Sequence, residues 1–301
     1  MSLRALLGSI LLGPARRVPD DAALMYAIRA RLQKLDEALD GEPNGALDEN
    51  DPRTLFRFLL RMARHELSEP SPSISNPALL SRFESLIQTR PAESLDHAQL
   101  FIDTPSVLLR AETLLRTRPK GPILALGDDD AVSLALLLLG AEKVEVADID
   151  ERILAFLSER ARTLFAELPV HRVDVLEEEP GPQLLGRFEI VVTDPPRSYD
   201  DGLAFIAFAA RCLHPSPSSR LYYADHEDWN DEHDRLVGAL RGLGLELVER
   251  HANLARYPLI EAWIPSLEDR ASALGLTADA LRSLIRSIPA RSHLYELRFR
   301  V

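Results

Sequence analysis

Cysteine is almost missing from this chain. Cys212 is the only one in 301 residues, so no intrachain disulfide and no thiolate metal cluster can form. Long apolar runs are missing too: none approaches the roughly 20 residues a membrane span needs. The opening MSLRALLGSILLGPARRVP has only a brief, interrupted apolar patch ahead of Arg16 and Arg17. Positive charge is in short supply, with a formal net charge of -12, whereas a nucleic-acid binder needs a basic footprint. His214, His226, His233 and His251 show no metal-ligand spacing, and neither a G-x-S-x-G elbow nor a P-loop occurs. The expectation is a cytoplasmic protein with no metal, no membrane span and no nucleic-acid partner.

What is present is an ordinary globular composition, 46% hydrophobic and 27% charged, long enough for a core domain and a smaller companion. Its acidic balance draws small cations. Helical spacing of Leu24, Ile28, Leu32 and Leu35 predicts a helix over 20–40. A second is predicted near 53–67 and a third at 77–89, after the Pro- and Ser-rich break SEPSPSISNP. From 121 strands and helices alternate. Strands are expected at 122–126, 143–148, 170–174, 188–193 and 220–225, and helices near 130–140, 151–166, 200–213 and 231–242. LELVERHANLARYPL offers a sixth strand, HLYELRFRV a seventh, and 266–288 a helix between them. Such alternation predicts an α/β fold, a doubly wound, mainly parallel Rossmann-like sheet with right-handed crossovers. The expected division is a small, mostly helical domain over 1–95 and the Rossmann-like domain over 96–301.

The stretch PILALGDDDAVSLALLLLGAEKVEVADID, 122–150, reads as strand, tight turn, helix, and a second strand ending in an acid. Ligands in such sheets sit beyond the carboxyl ends of the strands, at the switch point. Gly127 closes the first strand, and Asp148 follows 21 positions later, where an acid accepts ribose hydroxyls. Asp150, and Asp174 at the end of the third strand, complete the expected nucleoside contacts. Where further glycines would serve a dinucleotide, the loop carries Asp128, Asp129 and Asp130. A pyrophosphate needs bare amides at a helix N-terminus; carboxylates there repel it by on the order of several kcal/mol when partly desolvated. NAD and FAD are thus disfavoured, and a sulfonium nucleoside without phosphate is favoured. Intact S-adenosylmethionine would bring its own carboxylate to these acids, whereas the decarboxylated form brings only an ammonium. One Asp would suffice to cap the helix; three point to a cationic ligand.

In FEIVVTDPPRSYDDG, 188–202, a buried strand breaks into Asp194-Pro195-Pro196. Prolines remove donors and stiffen the turn, leaving the Asp194 carboxylate and nearby carbonyls as acceptors. Such a clamp suits an amine nucleophile. Related DPPY turns occur in amino-group methyltransferases; here the fourth residue is Arg197, and Tyr199 is the nearest aromatic.

The runs DHAQLFIDTPSVLLRAETLL, LGDDDAVSLAL, VADIDERIL, GRFEIVVTDPP and HANLARYPL resemble the branched-chain polyamine synthases, the N4-bis(aminopropyl)spermidine synthases, in consistent order over about 95–260. The resemblance implies a class I methyltransferase-like catalytic domain behind a small winged-helix-type domain. It also implies aminopropyl transfer from decarboxylated S-adenosylmethionine, a co-substrate, to spermidine nitrogens. Arg197 departs from the family's tyrosine. On this reading Asp129 orients the attacking nitrogen and takes its proton, with Asp194 as supporting acceptor. Asp130, Pro195, Pro196, Tyr199, Glu227 and Asp228 hold the polyamine. The rivals are an amino-group methyltransferase using intact S-adenosylmethionine and a non-catalytic polyamine-binding module. A homodimer is a further expected option.

Overall fold

The computed structural model describes residues 74, 76–97, 99–196, 198–225, 233–258 and 290–300. The helices expected at 20–40, 53–67 and 266–288 lie outside the described residues, as do Arg197, Glu227 and Asp228. Ser71–Tyr257 with Arg291–Val301 make one compact unit, which holds most of what is described.

Six α-helices, one short 3-10 helix (Leu95–His97) and seven strands are assigned among these residues. The α-helices are α1 (Pro77–Ile87), α2 (Thr104–Leu115), α3 (Val132–Leu138), α4 (Glu151–Thr163), α5 (Tyr199–Cys212) and α6 (His233–Gly242). The strands are β1 (Ile123–Leu126), β2 (Val144–Asp148), β3 (Val170–Arg172), β4 (Ile190–Thr193), β5 (Arg220–Asp225), β6 (Leu245–Tyr257) and β7 (Ala290–Phe299). They form one seven-stranded sheet in the order β3-β2-β1-β4-β5-β7-β6. The first five strands pair in parallel, while β7 runs antiparallel to β5 with Tyr223 opposite Tyr295. Both of the strands offered by the sequence after 244 are therefore present.

The central strands ILAL and IVVT are buried at every position, as expected of parallel strands covered on both faces. Leu124, Leu126, Val191, Ile206, Phe208, Leu221 and Tyr223 join one core with Cys212. Burial pushes the Cys212 thiol up to about 12 despite the opposing charge of Arg211, so it is a packing residue and no nucleophile. Helix starts follow local capping rules: Asp103 accepts from the Ser106 amide at 3.1 Å, and Ser198 from the Asp201 amide at 3.1 Å.

β1 lies between β2 and β4, so chain order reverses on either side of it. A crevice opens there beyond the carboxyl ends of the strands. The second strand ends where expected and the third ends two residues early. β2 stops at Asp148, and Asp150 becomes the N-cap of α4. β3 stops at Arg172, which leaves Asp174 in the following loop.

Candidate active site

A cavity of about 260 Å³ occupies this crevice. Its acids are Asp96, Asp129, Asp148, Asp174, Asp194 and Asp201, and among the described residues no lysine or arginine lines it. Val173, Val175, Leu176, Ile149, Pro196 and Phe205 supply apolar walls, with Gln99 and His97 at the margin. A wall of this kind takes a flat apolar ring, and its rim takes positive charge.

The three acids after Gly127 divide their work. Gly127 has φ 69, and a Cβ there would meet the Phe205 ring at 3.4 Å, so the turn needs glycine for its conformation. Asp128 is buried and turned into the fold. Its Oδ1 accepts from the Val132 amide at 2.7 Å and its Oδ2 from the Ser133 amide at 3.1 Å. It caps α3, whose preceding residue Ala131 is left-handed at φ 63. Burial raises Asp128 to about 7, against the pull of its Ser133 and Val132 hydrogen bonds. Asp130 is buried as well, accepting from the Ile102 amide at 2.8 Å and from Arg110 at 3.2 Å. Burial raises it to about 6, opposed by Arg110. Asp129 alone of the three lines the cavity. Its carboxylate takes no hydrogen bond among the described residues. Burial, then the charges of Asp130, Asp148 and Asp194, holds it well above the usual carboxylate range. The loop is tied down through the backbone instead: Arg90 donates to the Asp129 carbonyl at 3.2 Å while lying 3.6 Å above the Phe101 ring.

Asp194 is anchored from beneath. Arg110, on α2 and only 2% exposed, donates to Asp194 Oδ2 at 2.8 Å and to Asp130 Oδ2 at 3.2 Å. The Tyr257 hydroxyl donates to the same Asp194 Oδ2 at 2.6 Å. Burial works to lower the Arg110 pKa, but the charges of Asp194 and Asp130 outweigh it and the pKa is raised. Asp194 and Pro196 also line a recess of about 10 Å³ on their far side, with Pro195, Asp225, Tyr257 and Ser292. His233 Nδ1 lies 2.8 Å from Asp225 Oδ2 at that recess.

The remaining predicted positions are placed as follows. Asp148 lines the cavity while accepting from the Asp128 amide at 2.9 Å and the Asp150 amide at 2.8 Å; burial raises its pKa despite those bonds. Asp150 faces away. Although burial works to raise it, hydrogen bonds from Arg152 and Gln99 lower it to about 2. Asp174 lines the cavity, its Oδ1 accepting from the Leu176 amide at 3.1 Å. Tyr199 packs on the core with Arg235 stacked 3.7 Å above its ring. Gly202 of α5 backs onto the turn, where a Cβ would come 3.3 Å from the Pro196 carbonyl.

Asp96, His97, Gln99, Asp201, Phe205, Arg110 and Tyr257 join the site without a motif in the sequence that marks them. The first three and Arg110 stand in DHAQLFIDTPSVLLRAETLL. A lone arginine among Leu108, Leu109 and Ala111 was the one available signal, since a cation at a core position needs buried partners.

Residues 78–221 match the sequence profile of the branched-chain polyamine synthase A C-terminal domain. The N(4)-bis(aminopropyl)spermidine synthase of Methanocaldococcus jannaschii is 33% identical over 125 residues, 40% of this chain and 35% of that protein. The same-named protein of Thermococcus kodakarensis is 29% identical over 132 residues, 42% of this chain and 37% of that one. The matches thus span little more than a third of these relatives' length. The crystal structure of the branched-chain polyamine synthase from Thermus thermophilus, in complex with N4-aminopropylspermidine and 5'-methylthioadenosine, superposes with a TM-score of 0.62 at 19% identity, covering 98% of this chain and 87% of that one. That likeness shows a shared fold. Over residues 78–221 the chain is thus similar to the C-terminal domain of the branched-chain polyamine synthases.

Proposed function

We propose that this protein is an aminopropyltransferase, moving the aminopropyl group of decarboxylated S-adenosylmethionine to a nitrogen of a polyamine such as spermidine. One observation carries the reading: six aspartates and, among the described residues, no lysine or arginine line the crevice where this fold binds nucleosides. A phosphate or an amino-acid carboxylate would meet only like charge there. A sulfonium with an ammonium tail, and an amine acceptor, would meet compensating charge at every turn. The names of the relatives support the same chemistry.

The reaction is an in-line displacement. An acceptor nitrogen attacks the propyl carbon next to sulfur, the C–S bond breaks, and its electron pair stays on sulfur as neutral methylthioadenosine. No leaving-group protonation is needed. The obstacle is the acceptor, because an amine of pKa about 10 is mostly protonated at neutral pH. Asp129 is suited to meet it: its raised pKa makes it a better proton acceptor than an ordinary carboxylate. Asp194 holds the nitrogen from the neighbouring loop, and positioning by the pair supplies more than basicity alone. Asp148 and Asp174 line the crevice and would accept the nucleoside's hydroxyl and amino donors, with Phe205, Ile149 and Leu176 as the apolar wall for its ring.

Incubation of the purified protein with each sulfonium donor and a panel of polyamines, read by product mass, tests this. Aminopropyl additions from the decarboxylated donor are expected. Methyl additions from intact S-adenosylmethionine would replace the reading with amino-group methylation, and spermidine binding without turnover would replace it with a binding module.

A further inference from the structure

Asp194 offers two oxygens, and both protein donors land on one of them. Arg110 reaches Oδ2 at 2.8 Å and Tyr257 reaches it at 2.6 Å. Among the described residues Oδ1 receives no hydrogen bond, and the side chain keeps 16% exposure on the cavity and the recess it divides. Arg110 also grips Asp130, which follows Asp129 directly. One buried guanidinium therefore spans the loop after β1 and the loop after β4, fixing the separation of the two acids that face the ligand. Tyr257, the last residue of β6, is itself steadied by the Ser292 hydroxyl at 3.1 Å.

The partition of charge follows from the same contacts. Arg110 supplies its positive charge directly to Asp130 and Asp194. Among the described residues Asp129 has no cation within hydrogen-bond reach of its carboxylate, and it sits beside Asp130, Asp148 and Asp194. A carboxylate surrounded by other carboxylates accepts a proton readily.

We infer that Arg110 and Tyr257 are positioning residues for the transfer: they lock Asp194 through Oδ2 so that its Oδ1 meets the acceptor nitrogen, leaving Asp129 as the group that takes the proton. The inference rests on polyamine aminopropylation being the reaction. Each acts through Asp194.

The test is a double-mutant cycle on steady-state kinetics. Tyr257→Phe removes one hydroxyl with little change of volume. It is expected to lower kcat about tenfold while the KM for the sulfonium donor stays within about twofold. In an Asp194→Asn background the same change is expected to cost less than about threefold, because the anion it serves is gone. Arg110→Lys keeps the charge without the fork and is expected to show the same pattern more steeply; if that variant does not fold, Tyr257→Phe decides. Equal losses from Tyr257→Phe in both backgrounds, or a donor KM that rises with kcat unchanged, would overturn the positioning role while the reaction stands. A wild-type protein that yields no aminopropylated product sinks the reaction and the role together.

Discussion

At the scale of single residues, three consecutive aspartates have three separate fates. Asp129 lines the cavity, and among the described residues its carboxylate takes no hydrogen bond. Asp129→Asn is expected to cut kcat by about 10²–10⁴, the range for losing a general base, with the donor KM little changed. Turnover at the wild-type rate would remove Asp129 from the mechanism. Asp128 gives its oxygens to the first amides of α3. Asp128→Ala should therefore cost about 0.5–2 kcal/mol of stability, as helix caps do, measured by urea denaturation. That cost will come with a much smaller kinetic loss than Asp129→Asn shows. The adjacency of the three was visible in the sequence, but their directions were not. Side-chain direction in a turn depends on local dihedrals, here a left-handed Gly127 and a left-handed Ala131, which residue types alone do not specify.

At the scale of elements, the strands of the parallel sheet were legible because each is a short, continuous apolar run bounded by turn residues. The switch-point rule then placed Gly127, Asp148 and Asp194 correctly at strand ends. What stayed hidden was convergence across the chain. Arg110 and Asp194 are 84 positions apart and Tyr257 and Asp194 are 63 apart, and no periodicity links such residues. The contact between α5 and the Asp-Pro-Pro turn was equally invisible. Gly202 lets the first turn of α5 pass close under the Pro196 carbonyl, with no room for a methyl group unless the turn shifts. Gly202→Ala is expected to move that turn by a few tenths of an ångström and lower kcat several-fold, since small misplacements of reacting groups are costly. Unchanged kinetics with a normal melting curve would show that the turn tolerates the displacement.

At the scale of the whole molecule, the buried acids set the pH dependence of folding. Burial raises Asp128 to about 7 and Asp130 to about 6, and Asp129 and Asp148 are raised as well. Unfolded aspartates ionise near 3.9. Between about pH 4 and 7 the native state therefore binds more protons than the unfolded chain, and stability falls as pH rises through that window. Asp150 works in the opposite sense, because its depressed value of about 2 adds stability that is lost only as pH drops from the ordinary range toward that value. Calorimetric melting is thus expected at a higher temperature at pH 5 than at pH 7.5. A flat profile would mean the carboxylates are solvated in solution. Spermidine should raise the melting temperature more at pH 7.5, where the site carries more charge.

A vestibule walled by anions also discriminates between what enters and what must leave. If the proposed aminopropylation is the reaction, it turns a polyamine into one with an additional ammonium, and each round would leave in the site a guest held more tightly than the last. On that reading product departure is expected to limit turnover, and added branched amine should inhibit competitively against the acceptor at concentrations below the acceptor's KM. Raising the ionic strength should weaken that grip and speed turnover before it eventually costs substrate affinity.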